Sequence, residues 1–553
     1  MHSFKIKTMF KYNLLLLFII SISSHVALGQ NFEFGLSIGG ESVQQSQAMT
    51  VDPSDGSIYL TGFFYQEIDA DPGVSEEIVL ATEFSDAYLI KLDNEGNYLW
   101  VYHFADTAYE TGLGVQVDTE GNVFVLIDKG NRASVYKLNS AGDSIWEYEI
   151  ISTESLSPRS IALDTEGNIV LVGSYSGEVD FDPTSSDEIL TSEGVSHGFV
   201  LKIDESGNFN WVKQFYGEDE TLPQSIDLDA SDNIYISGSY TGTTNLDPLG
   251  SLEGEYSSLG LTDFFILKLS ATGIYEWSES IGGSSTDECE KVVVDQDGNC
   301  YLTGFFSLEV DFDPSSVEDL ANSEGGLDAY VMKFDSDGEY LWSNQFGGSS
   351  YDFGVGLDVD PFKNVYITGQ FLGMVDFNSG DDEFFMDTGG SSETYALKVN
   401  QDGEFLWALR LVSEGFGNSV SDLQTTEEGD IFVTGAFGND IDLDPTEDDF
   451  VLSTTDFLDD IYLLKLNQEH AGIESLSETN EGLLLYPNPS NGAFYLNLSG
   501  SSKIDIYSMD GQYVDSFMSN ELNQYSLSSL RSGQYVLFLN DRNDRKSVKL
   551  IIE

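Results

Sequence analysis

Cysteine, histidine and basic residues are all scarce in this chain. Two cysteines in 553 residues cannot staple a fold of this length, so the chain must hold together by packing. The five histidines (His2, His25, His103, His197, His470) show no metal-ligand spacing. No nucleophile elbow or phosphate-cradling glycine loop is present, which sets aside the familiar hydrolase and nucleotide-binding classes. Paired carboxylates for glycoside hydrolysis stay open, because acids are abundant and their separation cannot be read from sequence. Lysine and arginine total 23 against 95 aspartates and glutamates, a formal net charge of −72. Such a field repels nucleic acid and anionic lipid, and it keeps the particle soluble. Helical periodicity is almost absent. The apolar run Leu14–Ile22 falls well short of the roughly 20 residues needed to span a bilayer.

What is present is repetition. The six tryptophans, Trp100, Trp146, Trp211, Trp277, Trp342 and Trp407, are spaced by 46, 65, 66, 65 and 65 residues. A lysine stands nine residues before each: Lys91, Lys137, Lys202, Lys268, Lys333 and Lys398. Lys465 continues the series without its tryptophan. A glycine recurs on the same step at Gly62, Gly173, Gly238, Gly304, Gly369 and Gly435. A fixed period means one supersecondary unit stacked on copies of itself.

The unit reads as four short strands. Around residue 300 these are Lys291–Val294, Cys300–Phe305, Ala329–Phe334 and Glu339–Asn344, here called A to D. The turns Asp295–Asn299 and Asp335–Gly338 carry the Asp, Gly and Asn that hairpins require. Four antiparallel strands per repeat make the blade of a β-propeller. Seven B–C pairs are followed by only six D strands. The segment Asn31–Gly40 aligns with the missing one and places Phe34 at the tryptophan position. The expectation is an all-β chain with a seven-bladed propeller closed by its N-terminal strand.

Within this ring, residues 30–470, the acids concentrate. Removing the eight acids and six bases of 481–553 and the three lysines of 1–29 leaves 87 acids and 14 bases in residues 30–480, a net of −73, with only Glu474 and Glu478 of these acids outside the ring. Half of those bases are the repeated strand-C lysine. A part-buried lysine needs a partner, and the repeated aspartates that end strand A (Asp52, Asp118, Asp164, Asp229, Asp295, Asp360) are the expected ones. Cys300 should face Val294, with Cys289 about five residues further along and beyond disulfide reach.

Between strands B and C lies a long insertion that a blade does not need to close. It opens on an acidic turn, as in Asp180-Phe-Asp182-Pro, Asp311-Phe-Asp313-Pro and Asp442-Leu-Asp444-Pro. The second unit lacks it, which explains the 46-residue step. Asp180, Asp182, Asp311, Asp313, Asp442 and Asp444 are therefore candidate calcium ligands, since Ca²⁺ takes 6–8 oxygens, often from alternating carboxylates. The alternative is that Asp and Pro only set the turn.

Residues 1–29 read as a signal peptide: basic at Lys5, Lys7 and Lys11, then apolar, then small residues at Ala27 and Gly29. Residues 471–482 form a polar linker, and 483–553 a separate small β domain. The tail motifs Leu485-Tyr-Pro-Asn-Pro489, Asn491-Gly-Ala-Phe494, Ile504-Asp-Ile-Tyr507 and Leu530-Arg-Ser-Gly-Gln-Tyr-Val536 resemble the C-terminal sorting domain of the type IX secretion system. That resemblance implies an Ig-like β-sandwich, engagement with the type IX machinery, and export through the periplasm to the cell surface or medium. The repeats resemble the bacterial SBBP-type β-propeller family, which carries no uniform activity. The expected function is a non-enzymatic binding or adhesion module for extracellular polysaccharide or protein. The alternatives are a calcium-dependent carbohydrate-active enzyme and a purely structural surface protein.

Overall fold

A computed structural model describes residues 30–468, apart from 107–108, 184–186, 316, 379, 381–382, 415–417, 428, 446–448 and 455–457, and then the strands lying between 485 and 552. The expected signal peptide and linker lie outside the described residues. Among the described residues, seven four-stranded antiparallel units follow one another. In unit 5, strand A is Glu288–Val294, B is Cys300–Phe306, C is Asp328–Phe334 and D is Tyr340–Phe346, hydrogen-bonded in the order A-B-C-D. Unit 7 takes its A, B and C strands from Asn418–Thr425, Asp430–Phe437 and Asp460–Gln468, and its D strand from Gln30–Ile38. Phe34 lies opposite Lys465, where the other units set a tryptophan opposite the lysine. The fold is all-β and propeller-like.

Local chemistry explains the unit. At the A–B turn of unit 5, one oxygen of Asp295 accepts the backbone N–H of Asp297 and Asn299 at 2.9 and 3.0 Å, and the other accepts the Asn299 amide at 2.7 Å. The fourth turn residue, Gly298, has φ +81°. Two units put a side chain in this left-handed slot, Asp232 (φ 62°) and Lys363 (φ 64°). Each uses it to grip the preceding unit, Asp232 through Thr165 and Lys363 through Asp297. The local strain is held by a contact that glycine cannot make.

Every unit has a bulge in strand A, at Cys289/Lys291 in unit 5. There the backbone closes on strand B so tightly that a Cβ on Gly304 would lie 2.1 Å from the Glu288 carbonyl oxygen. The same holds for Gly62, Gly173, Gly238, Gly369 and Gly435, so the repeated glycine is a packing requirement. A second bulge precedes the tryptophan in strand D, shifting register at Lys333/Phe334 in unit 5. It re-aims the indole out of the unit.

Each strand A packs on the next, and strand A of unit 7 packs on that of unit 1. That seam is bonded: Met49 N–H donates to Asp422 Oδ2 at 3.1 Å and Val51 N–H to Gln424 Oε1 at 3.2 Å. Both cysteines are free and buried, with Cys300 opposite Val294 as expected. Burial pushes the Cys289 thiol up to about 12, so it is inert at neutral pH. In the tail, the strands pair as a three-stranded and a four-stranded sheet, with Ile504, Ile506 and Leu537 buried. Among the described residues no helix is long and apolar enough to cross a membrane.

Candidate binding surface

The inserted segments form hairpins along one rim, built by extending strands B and C or by adding a short second pair. In unit 5, Glu309–Asp311 pairs with Leu320–Asn322, and this hairpin bonds to the end of strand D of unit 4 through Gly282 and Gly283. Units 3, 4 and 7 likewise pair their hairpins with the D strand before them. The insertion is thus a brace between neighbouring units and more than the decoration its dispensability implies. Its acidic turn caps it. Oδ1 of Asp180, Asp311 and Asp442 each accept two backbone N–H groups: Asp182 and Glu188 (3.1 and 2.9 Å), Asp313 and Asp319 (3.2 and 2.8 Å), Asp444 and Phe450 (3.1 and 2.9 Å). Asp313 in turn accepts the Ser315 N–H at 2.9 Å. The six candidate calcium ligands therefore sit in three separate turns, one pair to a unit. Among the described residues no three His, Cys, Asp or Glu side chains are placed to share a metal ion.

The strand-C lysines are buried, at 6–7 % exposure for Lys91, Lys202, Lys268, Lys333, Lys398 and Lys465. Their partners correct the simple ion-pair expectation. Lys202 bonds Asp164 at 2.8 Å, while Lys137 and Lys398 stand 3.8 Å from Asp118 and Asp360. Six lysines lie over the aromatic ring paired with them on strand B; Lys333, for example, is 4.7 Å from the Tyr301 centroid. Lys202 faces Val170 instead, and it has the shortest of these aspartate contacts. The lysine and tryptophan also act together between units. Lys333 Nζ and Trp342 Nε1 both donate to the Gln401 carbonyl in the next C–D turn, at 3.2 and 3.1 Å. Lys137 with Trp146, and Lys268 with Trp277, do the same to Glu205 and Ser336. These repeated residues tie each unit to the next.

In the centre, Lys291 of strand A reaches Asp422 at 3.1 Å, two units away. Asp227 and Asp358 share that environment, and burial raises them to about 7 and about 6. Their oxygens are already engaged by backbone N–H groups of Val294 and Thr425 in the following unit. These contacts link the A strands of units 4, 5, 6 and 7 to one another.

Unit 2 departs from the pattern. At the strand-B position where the other six units bury Phe64, Tyr175, Tyr240, Phe306, Phe371 or Phe437, it has Lys129. Opposite, where the others carry Asp86, His197, Asp263, Asp328, Glu393 or Asp460, it has Arg132. With no hairpin laid over it, the end of strand D of unit 1 opens into a recess of about 350 Å³, lined by Phe104–Asp106, Glu110, Lys129, Arg132, Tyr136, Glu147 and Glu149. Lys129 Nζ donates to Tyr136 Oη and Glu147 Oε1, both at 3.0 Å. Arg132 pairs with Asp106 at 2.8 Å and Glu149 at 3.2 Å. Burial opposes charge at Lys129, but bonds to Tyr136 and Glu147 hold its pKa above the usual lysine value. Glu147 is held low against burial by Tyr136, Lys129 and Ser134. Sequence reasoning missed this recess. The signal was available: two of the few bases outside the repeated lysines fall where the hairpin is missing.

Residues 484–553 match the secretion system C-terminal sorting domain, and residues 341–370 match a β-propeller repeat. The chain carries a type IX secretion sorting domain at its C-terminus and a β-propeller repeat. That tail directs export through the periplasm to the cell surface or extracellular space. An uncharacterised WD repeat-containing protein of Acanthamoeba polyphaga mimivirus is 21 % identical over 513 residues, 81 % of this chain and 34 % of its own length. The chain thus spans about a third of that relative. Among solved structures, Sqt1 from Chaetomium thermophilum aligns at 10 % identity, covering 84 % of this chain and 97 % of its own, with TM-score 0.37. Virginiamycin B lyase from Staphylococcus aureus aligns at 11 %, covering 64 % and 94 %, with TM-score 0.33.

Proposed function

We propose that residues 30–470 form a closed seven-bladed propeller, displayed or released by an Ig-like sorting domain at 483–553, and that the ring is a non-enzymatic binding module for extracellular polysaccharide or protein. The seam bonds from Met49 and Val51 to unit 7 support closure. The observation that carries the binding reading is the rim. It is braced by hairpins around much of the circle and, where unit 2 lacks its hairpin, carries a polar recess of about 350 Å³. A glycan array probed with the signal-free chain tests it, with immobilised surface proteins as the second arm. Retention on either supports the module. Silence on both, with reducing sugar released from a polysaccharide panel, would replace it with the enzyme reading. Calcium at Asp180/Asp182, Asp311/Asp313 and Asp442/Asp444 would add to turns that already cap themselves.

A further inference from the structure

Resting on that binding reading, we propose that the unit 2 recess is a saccharide site that takes a neutral pyranose unit. Its volume lies in the range of about 300–1,000 Å³ ordinary for small-ligand sites. Phe104–Asp106 and Glu110 form part of its wall, and beside them stands an aromatic platform. Phe84 and Tyr109 stack at 4.7 Å between centroids and 29° between planes, yet they are 48 % and 57 % exposed. The Glu110 N–H donates to the Ser85 carbonyl at 3.0 Å, and the Thr82 hydroxyl donates to the Asp106 carbonyl at 3.3 Å. The platform and the recess are therefore parts of one bonded surface.

The chemistry selects the ligand. Four carboxylates (Asp106, Glu110, Glu147, Glu149) stand against two cations in the recess, in a chain of net charge −72. An anion is repelled at long range and by the local excess of acid. A cation would have to displace Lys129 or Arg132 from the carboxylates that hold them. A neutral polyol uses both kinds of group at once, because each hydroxyl donates to a carboxylate and accepts from an ammonium or guanidinium. The acids and bases are already ion-paired with one another before any ligand arrives, which limits the entropy lost on binding. The exposed aromatic rings offer a flat apolar surface to the C–H face of a pyranose.

The test is calorimetric titration of the signal-free chain with six-residue oligosaccharides: neutral glucans and mannan, a galacturonate and a cationic glucosamine oligomer. The expected result is binding of at least one neutral oligomer and none of the charged ones. Phe84→Ala and Tyr109→Ala, which change only exposed rings, should each weaken it tenfold or more with melting temperature unchanged. Arg132→Gln should weaken it as well. Tighter binding of the uronate or glucosamine oligomer overturns the proposal, as does neutral binding that survives both aromatic substitutions. In that last case the module still binds sugar and only the recess falls. If no oligosaccharide binds but a surface protein does, the saccharide proposal falls and the binding module stands.

Discussion

Units 5 and 2 are built from the same four strands and end at opposite solutions on the rim. Unit 5 keeps the long B–C segment, and its hairpin bonds back onto unit 4. Unit 2 omits it, and its four strands still pair in full. The hairpin is therefore a brace between units, and a unit closes without it. Where the brace is absent, selection of side chains is released from covering a neighbour. An aromatic and an acid give way to Lys129 and Arg132, and a recess opens. The comparison separates residues that build every unit from residues that belong to one.

The largest effects should come from testing the repeated lysine in two settings. Lys202 has no ring on strand B and holds buried Asp164 at 2.8 Å. Lys202→Met would leave that buried carboxylate with its turn hydrogen bonds but no cation, and should cost about 3–5 kcal/mol. Lys333 has no carboxylate within ion-pair distance among the described residues; it lies over Tyr301 and donates to a carbonyl. Lys333→Met should cost only about 1–2 kcal/mol. Denaturant titration of both variants checks this, and equal losses would dissolve the distinction between the two settings.

How much of this was legible beforehand follows from what repeats. The four strands, their turns, the lysine-to-tryptophan register and the pairing of the Phe34 strand with that of Lys465 were all readable. Seven copies average out local ambiguity, and Asp-x-x-Gly-Asn turns declare themselves. The purpose of each repeated residue was less readable. The glycine at 304 marks close approach to the Glu288 carbonyl, and the tryptophan reaches a carbonyl in the next unit, 59 residues on. Both depend on contacts between strands or units that no local pattern encodes. The recess was harder to read for a related reason: it is made by an omission, and its walls come from two units, so the two unmatched bases were its one local signal.

The glycine offers a sharper contrast between the same two units. Gly304→Ala must move strand A, because the new Cβ would meet backbone at 2.1 Å, and it should cost about 1–3 kcal/mol. At the matching register position of unit 2 the residue is Ile127, fully buried and facing Gly112. Ile127→Val should cost about 0.5–1.5 kcal/mol, the ordinary loss of one methylene. A benign Gly304→Ala would show that the bulge can relax.

Acidity distinguishes the body of the ring from its turns. Burial raises Asp227 and Glu279 to about 7, and Asp287, Asp328 and Asp358 to about 6. A carboxylate raised in the folded state favours folding while protonated. Its contribution is complete below the unfolded value near 4 and is lost as pH rises through 6 to 7. Turn aspartates such as Asp164, Asp204 and Asp295 are held low by their hydrogen bonds against the effect of burial. Their contribution is lost only as pH falls below about 4. The melting temperature should peak near pH 5 and fall by several degrees toward pH 8. A continuous rise from pH 5 to pH 8 would contradict this.

The smallest expected effect concerns the acidic turns that distinguish braced units from unit 2. In each of three turns the first aspartate already accepts two backbone N–H bonds through one oxygen, at 2.8–3.2 Å. A calcium ion would need about six oxygens at 2.3–2.6 Å, and each turn contributes one aspartate pair. The melting temperature in millimolar Ca²⁺ should therefore lie within about 1 °C of that in EDTA. If it rises by several degrees, Asp311→Asn and Asp313→Asn locate the ion. Loss of the rise in those variants would make the hairpins cation-gated braces, and unit 2 the one rim position indifferent to the metal.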